Sequence, residues 1–132
     1  MEIVRNVNNF EYICGALADA PTCVSAISKM NEDFILITFE EAKIYQVFKS
    51  SSSKCKALFY IGKPGANILF EVRKYIPLVM QSDNLKEAVK LASEYKVEGI
   101  NKIVFLPCVE KNNNESVEEM IKNFKKIVFD IE

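Results

Sequence analysis

The chain contains no histidine among its 132 residues. That absence excludes Ser–His and Cys–His nucleophilic catalysis, imidazole acid–base chemistry and histidine metal ligation. Paired cysteines are also missing: Cys14, Cys23, Cys55 and Cys108 are widely scattered, with no C-x-x-C spacing. This argues against a zinc site or a disulfide framework and for buried reduced thiols. No run of 18 apolar residues is present to form a transmembrane helix, and none of the charge asymmetry of a nucleic-acid or anionic-membrane binder is seen, the net charge being −1. Neither nucleic acid nor membrane is therefore an expected partner. The amino terminus, Met1-Glu2-Ile3-Val4-Arg5, places an acid before any apolar core and does not read as a signal peptide, so a cytoplasmic location is expected. The nucleotide fingerprints Gly-x-Gly-x-x-Gly and Gly-x-x-x-x-Gly-Lys-Ser/Thr do not occur, and no cofactor or metal is expected.

What is present is an alternation of short apolar runs and helical periods. Ala57-Leu58-Phe59-Tyr60-Ile61, Ile76 to Met80 and Ile103-Val104-Phe105-Leu106 are apolar runs, and Phe34 to Phe39, with Thr38 its one polar residue, reads as a buried-type strand. Strands without polar alternation belong to a parallel sheet covered on both faces. Between them, Asp83 to Tyr95 reads as a helix with Leu85, Ala88, Val89, Leu91, Ala92 and Tyr95 on one face, capped by Ser82, Asp83 or Asn84. Met1 to Asn6 and Phe10 to Cys14 predict two strands joined by a turn, Gly15 breaks the second, and Asp19 with Pro21 starts a helix. Glu40 to Lys49 predicts a further helix or a hairpin. Ser116-x-x-Glu119 opens the last helix, and Ile127-Val128-Phe129 is open to reading as a terminal strand. The expected fold is an α/β, Rossmann-like three-layer domain, with a mostly parallel sheet of about six strands flanked by helices. One domain spans residues 1–132, with no internal repeat or linker.

Candidate chemistry is thin. Gly62-Lys63-Pro64-Gly65 joins a strand to a helix, where backbone N–H groups can hold an anion, with Lys63 as the accompanying charge and an ordinary turn as the plainer explanation. Lys43 follows the Phe34–Phe39 run, at the carboxyl end where doubly wound sheets present ligands. Lys43, Gly62, Lys63 and Gly65 are thus the candidate ligand-binding residues, and no residue is assigned a catalytic role. Asp19 is explained as a helix cap, and Cys108, without a histidine partner, as a packing residue. Tyr45, Phe48, Tyr60 and Phe70 are many aromatics for a small domain, and some of them are expected to lie in an interface with a second copy of the chain or a protein partner.

Taken in order, these pieces resemble the carboxy-terminal domain of the Mur ligases, in particular the branch that adds D-glutamate to UDP-N-acetylmuramoyl-L-alanine. Lys56-Ala57-Leu58-Phe59-Tyr60-Ile61-Gly62 resembles that domain's Lys-Ala-x-x-x-Ile-Gly strand, and Asn84 to Ala92 its Asp-Leu-Glu-Glu-Ala-Val-x-x-Ala helix. Asn9 to Ile13 resembles its second strand, and Ile103 to Pro107 stands at its Val-Leu-Leu-Ser-Pro. Lys43 falls at the lysine of its Gly-Gly-x-Asp-Lys turn, and Asn123-Phe124-Lys125 at its Asn-Phe-Glu. The motif that faces the amino-acid substrate, Asp-Ser-Lys-x-Thr-Asn-Pro, is replaced by Gly15-Ala16-Leu17-Ala18-Asp19-Ala20-Pro21, which keeps only the proline. The family's serine before proline is Leu106 here. Its UDP-binding and ATPase domains have no counterpart. Such a resemblance implies a stand-alone domain stripped of the catalytic motifs, serving as a binding or accessory protein in peptidoglycan precursor synthesis and taking a protein partner or a small anionic ligand. The alternative it leaves is the third domain of a split or truncated ATP-dependent ligase.

Overall fold

The computed structural model describes residues 1–39, 54–95, 98–112 and 114–132. Six strands, β1 (Glu2–Val7), β2 (Phe10–Cys14), β3 (Phe34–Phe39), β4 (Cys55–Ile61), β5 (Leu78–Ser82) and β6 (Lys102–Phe105), form one sheet in the order β1-β2-β6-β3-β4-β5. All neighbours run parallel except β1, which pairs antiparallel with β2 through Asn8 and Asn9, both at positive φ. Asparagine tolerates that conformation, which two-residue hairpins require. A second hairpin, β7 (Lys111–Asn112) and β8 (Glu115–Ser116), leads into the last helix. The expected α/β architecture is the one found.

The apolar runs become strands buried on both sides because helices cover both faces. On one face Leu36, Leu58 and Val104 pack against Cys23 and Ile27 of α1 (Ala20–Ser28) and Leu69 and Val72 of α2 (Ala66–Arg73). On the other, Ile35, Ile37, Phe59 and Phe105 meet Ala88, Val89 and Ala92 of α3 (Leu85–Glu94) and Met120, Phe124 and Val128 of α4 (Val117–Phe129). Three of the four helix starts carry a side-chain cap, α2 beginning at Gly65 without one. The Asp19 carboxylate accepts the Thr22 N–H at 2.8 Å, Asn84 Oδ1 that of Glu87 at 2.8 Å, and Ser116 Oγ that of Glu119 at 3.3 Å. These satisfy amide groups that the first turn leaves without partners.

Two expectations are corrected. Ile127-Val128-Phe129 is not a strand: it closes α4, since Met120, Phe124 and Val128 recur at helical spacing on the buried face and that packing outweighs β-branched propensity. Nor are all four thiols reduced. Cys23 and Cys108 form a disulfide across 85 residues, and Cys14 and Cys55 remain as buried thiols. No spacing motif announces the pair. β6 lies beside β2, so the segment leaving β6 meets the helix that follows β2. The helix or hairpin read over Glu40 to Lys49 lies outside the described residues.

β1 is fastened to the far end of the chain. The Arg5 guanidinium donates to the carbonyls of Val128, Phe129 and Ile131 at 2.9, 3.2 and 2.8 Å, capping the carboxyl end of α4, where the helix dipole favours a cation. Arg5→Met keeps most of the stem and removes the donors. Urea unfolding of this variant is expected to show a loss of about 2 kcal/mol; no loss would mean that water replaces the guanidinium at no cost.

Candidate functional site

Parallel sheets of this class present ligands at the carboxyl ends of their strands. Five such ends lie together here. Those of β2 and β6 are closed by main chain: Gly15 N–H donates to Phe105 O at 3.2 Å and Leu106 N–H to Ile37 O at 3.1 Å, and buried Thr38 donates its hydroxyl to Pro107 O at 3.3 Å. A Cβ at position 15 would stand 3.0 Å from the Leu106 side chain, so any larger residue there would have to displace it.

The open space lies beside them, over β3 and β4 and between α3 and α4. It is a cleft of about 1010 Å³, within reach of the size that small-molecule sites use. Its floor is apolar: Phe39 and Ile61 at the strand ends, Leu85 and Val89 from α3, and Ile127 and Ile131 from α4 and its exit. Around this floor stand Lys86 and Lys90, one turn apart on α3, and Lys126 on α4. Asp83, Glu115 and Asp130 also line it, yet among the described residues none of the three lysines makes an ion pair with them. Asn123 reaches in from α4 and donates to Glu115 Oε2 at 3.0 Å. Such a rim offers ammonium donors to an anion, and the floor offers burial to an apolar body beside it.

The residues singled out in the sequence are only partly here. Gly62, Lys63 and Gly65 do share one loop, after β4, but outside the cleft. Gly62, at φ 103, has its N–H committed to Ser82 O at 2.7 Å, so it is not available to an anion. Gly65 is the N-cap of α2 and its carbonyl accepts from Ile68 and Leu69, as in an ordinary strand-to-helix turn. Lys63 is exposed on that loop. Lys43 lies outside the described residues. Of the aromatics, Tyr60 is wholly buried and cannot meet a partner, Phe70 is exposed with Lys74 stacked 4.6 Å from its ring centroid, and Tyr45 and Phe48 lie outside the described residues. Lys86, Lys90 and Lys126 carried no signal in the sequence beyond the helical spacing of the first two; the packing of α3 on α4 makes them neighbours.

The groups that carry chemistry elsewhere are occupied. Two hydrogen bonds from Thr22, hydroxyl and backbone, hold the Asp19 carboxyl below its ordinary range. Burial pushes the Cys55 thiol up to about 12, and burial together with the Glu2 carboxylate raises Cys14. Both thiols stay protonated at neutral pH, which removes them as nucleophiles. Among the described residues no three His, Cys, Asp or Glu side chains gather as metal ligands, and no helix is long and apolar enough to cross a membrane.

The class that fold and cleft define is a Rossmann-like α/β domain with a mostly parallel sheet. Compared with protein-family models and with curated proteins, the chain matches none.

Proposed function

We propose that the chain is a non-catalytic binding domain of the Mur-ligase carboxy-terminal type, taking a small anionic ligand with an apolar body in the α3–α4 cleft. The observation that carries this reading is the set of three lysines that make no ion pair among the described residues, arranged around an apolar floor at the carboxyl edge of the sheet. The resemblance supplies the setting, peptidoglycan precursor synthesis in the cytoplasm, and suggests a precursor of the UDP-muramoyl class as ligand. The non-catalytic part rests on the lost substrate motif at residues 15–21 and on thiols and a carboxylate that are already committed.

Calorimetry and thermal shift with UDP-N-acetylmuramoyl-L-alanine test it. Saturable binding and a raised melting temperature are expected, with ATP giving neither. Lys90→Ala and Lys126→Ala should each weaken binding by about fivefold, the equivalent of roughly 1 kcal/mol per lost lysine–anion contact near the surface. Binding that ignores both lysines would place the ligand elsewhere. Tight ATP binding would favour a piece of an active ligase, and no binding of any anion would end the proposal.

A further inference from the structure

The Cys23–Cys108 bond closes over two loops at the carboxyl edge of the sheet, residues 15–18 and 106–110. The two Cα atoms are 6.0 Å apart. Around the bond the base of the second loop is buried and hydrogen-bonded, Leu106 N–H donating to Ile37 O, and only its outer end is lightly held. Cys108 N–H donates to Leu17 O at 2.9 Å and Thr38 to Pro107 O, and the loop then runs outward through half-buried Val109 to exposed Glu110. Cys108 itself sits at φ 56, a left-handed conformation disfavoured for a residue with a side chain. That conformation persists because the surroundings hold it, and the covalent bond is the strongest of those restraints.

The chemistry of exchange is also laid out. Cys23 closes the first turn of α1, two residues past Pro21, with its side chain wholly buried, and the Asp19 carboxylate, held by Thr22, occupies the amino-terminal end of the helix. Cys108 belongs to the loop. Cys23 is 0 % and Cys108 4 % exposed, so an incoming thiolate reaches Cys108 Sγ only as the loop opens from its outer end at Val109 and Glu110, with Cys23 as the leaving thiol. The remaining cysteines, Cys14 and Cys55, are fixed within the hydrogen-bonded strands β2 and β4 and offer no rival partner.

We propose that Cys23 and Cys108 form a reversible thiol–disulfide exchange site, a latch that fixes loops 15–18 and 106–110 when oxidised and releases them when reduced by a cellular dithiol. In the reducing direction the dithiol's thiolate attacks Cys108 Sγ and forms a mixed disulfide, the Cys23–Cys108 bond breaks, and Cys23 leaves as a thiolate that takes up a proton. The dithiol's second thiolate then attacks its own sulfur in the mixed disulfide and expels Cys108, which is protonated in turn. Two electrons pass to the protein, and the dithiol ends as a disulfide. A disulfide oxidant reverses each step.

The intact chain is equilibrated in dithiothreitol buffers of graded redox poise, then alkylated with a maleimide and mapped by mass spectrometry, while hydrogen exchange is followed in the fully oxidised and fully reduced forms. One reversible two-electron transition is expected, labelling Cys23 and Cys108 and leaving Cys14 and Cys55 unlabelled. On reduction, amide exchange in 15–18 and 106–110 should rise at least tenfold, with α3 and α4 unchanged. The Cys23→Ala, Cys108→Ala double variant should reproduce the reduced pattern. Unchanged exchange in the two loops overturns the latch. So does unfolding of the whole domain on reduction or in the variant, which would make the bond a structural strut. A pair that resists excess dithiothreitol under native conditions, or that never oxidises, overturns it equally.

Discussion

Between pH 9 and pH 12 the domain is expected to lose about 4 kcal/mol of stability through one thiol, Cys55. Its side chain is buried at the start of β4, 2 % exposed, and burial carries its pKa from an ordinary 9.0 to about 12. The folded state keeps a proton that the unfolded state releases above pH 9. Stability is therefore intact below about 9 and falls as pH rises through 12, by about 1.4 kcal/mol for each pH unit between the two values. Other groups act in the same direction: Cys14 and Tyr12, raised chiefly by burial, and Lys102, raised first by its hydrogen bond to Glu11. An ammonium so held contributes below its unfolded pKa and is lost as the pH climbs. Urea unfolding at stepped pH tests the claim against Cys55→Ala. The variant should be weaker at pH 7 and lose about 4 kcal/mol less between pH 9 and 12. Parallel decline in the two proteins would show that Cys55 does not carry the effect.

Phe124→Ala is expected to cost about 4 kcal/mol. The ring is fully buried in the middle of α4 and lies 5.1 Å, centroid to centroid, from Phe105 on β6, which in turn meets Phe39 edge-on at 6.0 Å. Truncation leaves a cavity under the helix that supplies Asn123, Lys126 and Ile127 to the cleft. Denaturant unfolding measures the loss, and Phe124→Leu, which fills most of the space, should recover more than half of it. A cost under 1 kcal/mol for alanine would mean that α4 is not fixed by this contact.

How far the sequence alone reached depends on the range of the interaction concerned. The strands were legible because both faces of a covered parallel strand must be apolar, so Phe34 to Phe39 and Ala57 to Ile61 announce themselves without knowledge of their neighbours. The caps at Asp19, Asn84 and Ser116 were legible because a side chain reaches an amide three residues away. The carboxyl end of α4 was not, since Ile127, Val128 and Phe129 suit a strand locally and only the register of Met120 and Phe124 keeps them helical. The disulfide and the cleft were invisible for a stronger reason. Cys23 and Cys108, or Lys90 and Lys126, are brought together by strand order and helix packing, and no local spacing encodes either. Gly62 illustrates the converse: a glycine turn suited to hold an anion had already given its N–H to Ser82.

The clamp of Arg5 on the end of α4 bears on how the domain assembles. Its hydrogen bonds join residues 123 to 126 positions apart, and Asn8 adds another, to the Glu132 carbonyl, across 124. A contact of that span cannot form before the sheet between its ends has been laid down, because the loop it closes is nearly the whole chain. It therefore belongs to the native side of the folding barrier. The cost of Arg5→Met should appear almost wholly as faster unfolding, with the folding rate left alone. The two ends of the chain thus act as a clasp that forms last and sets how long the finished domain stays closed.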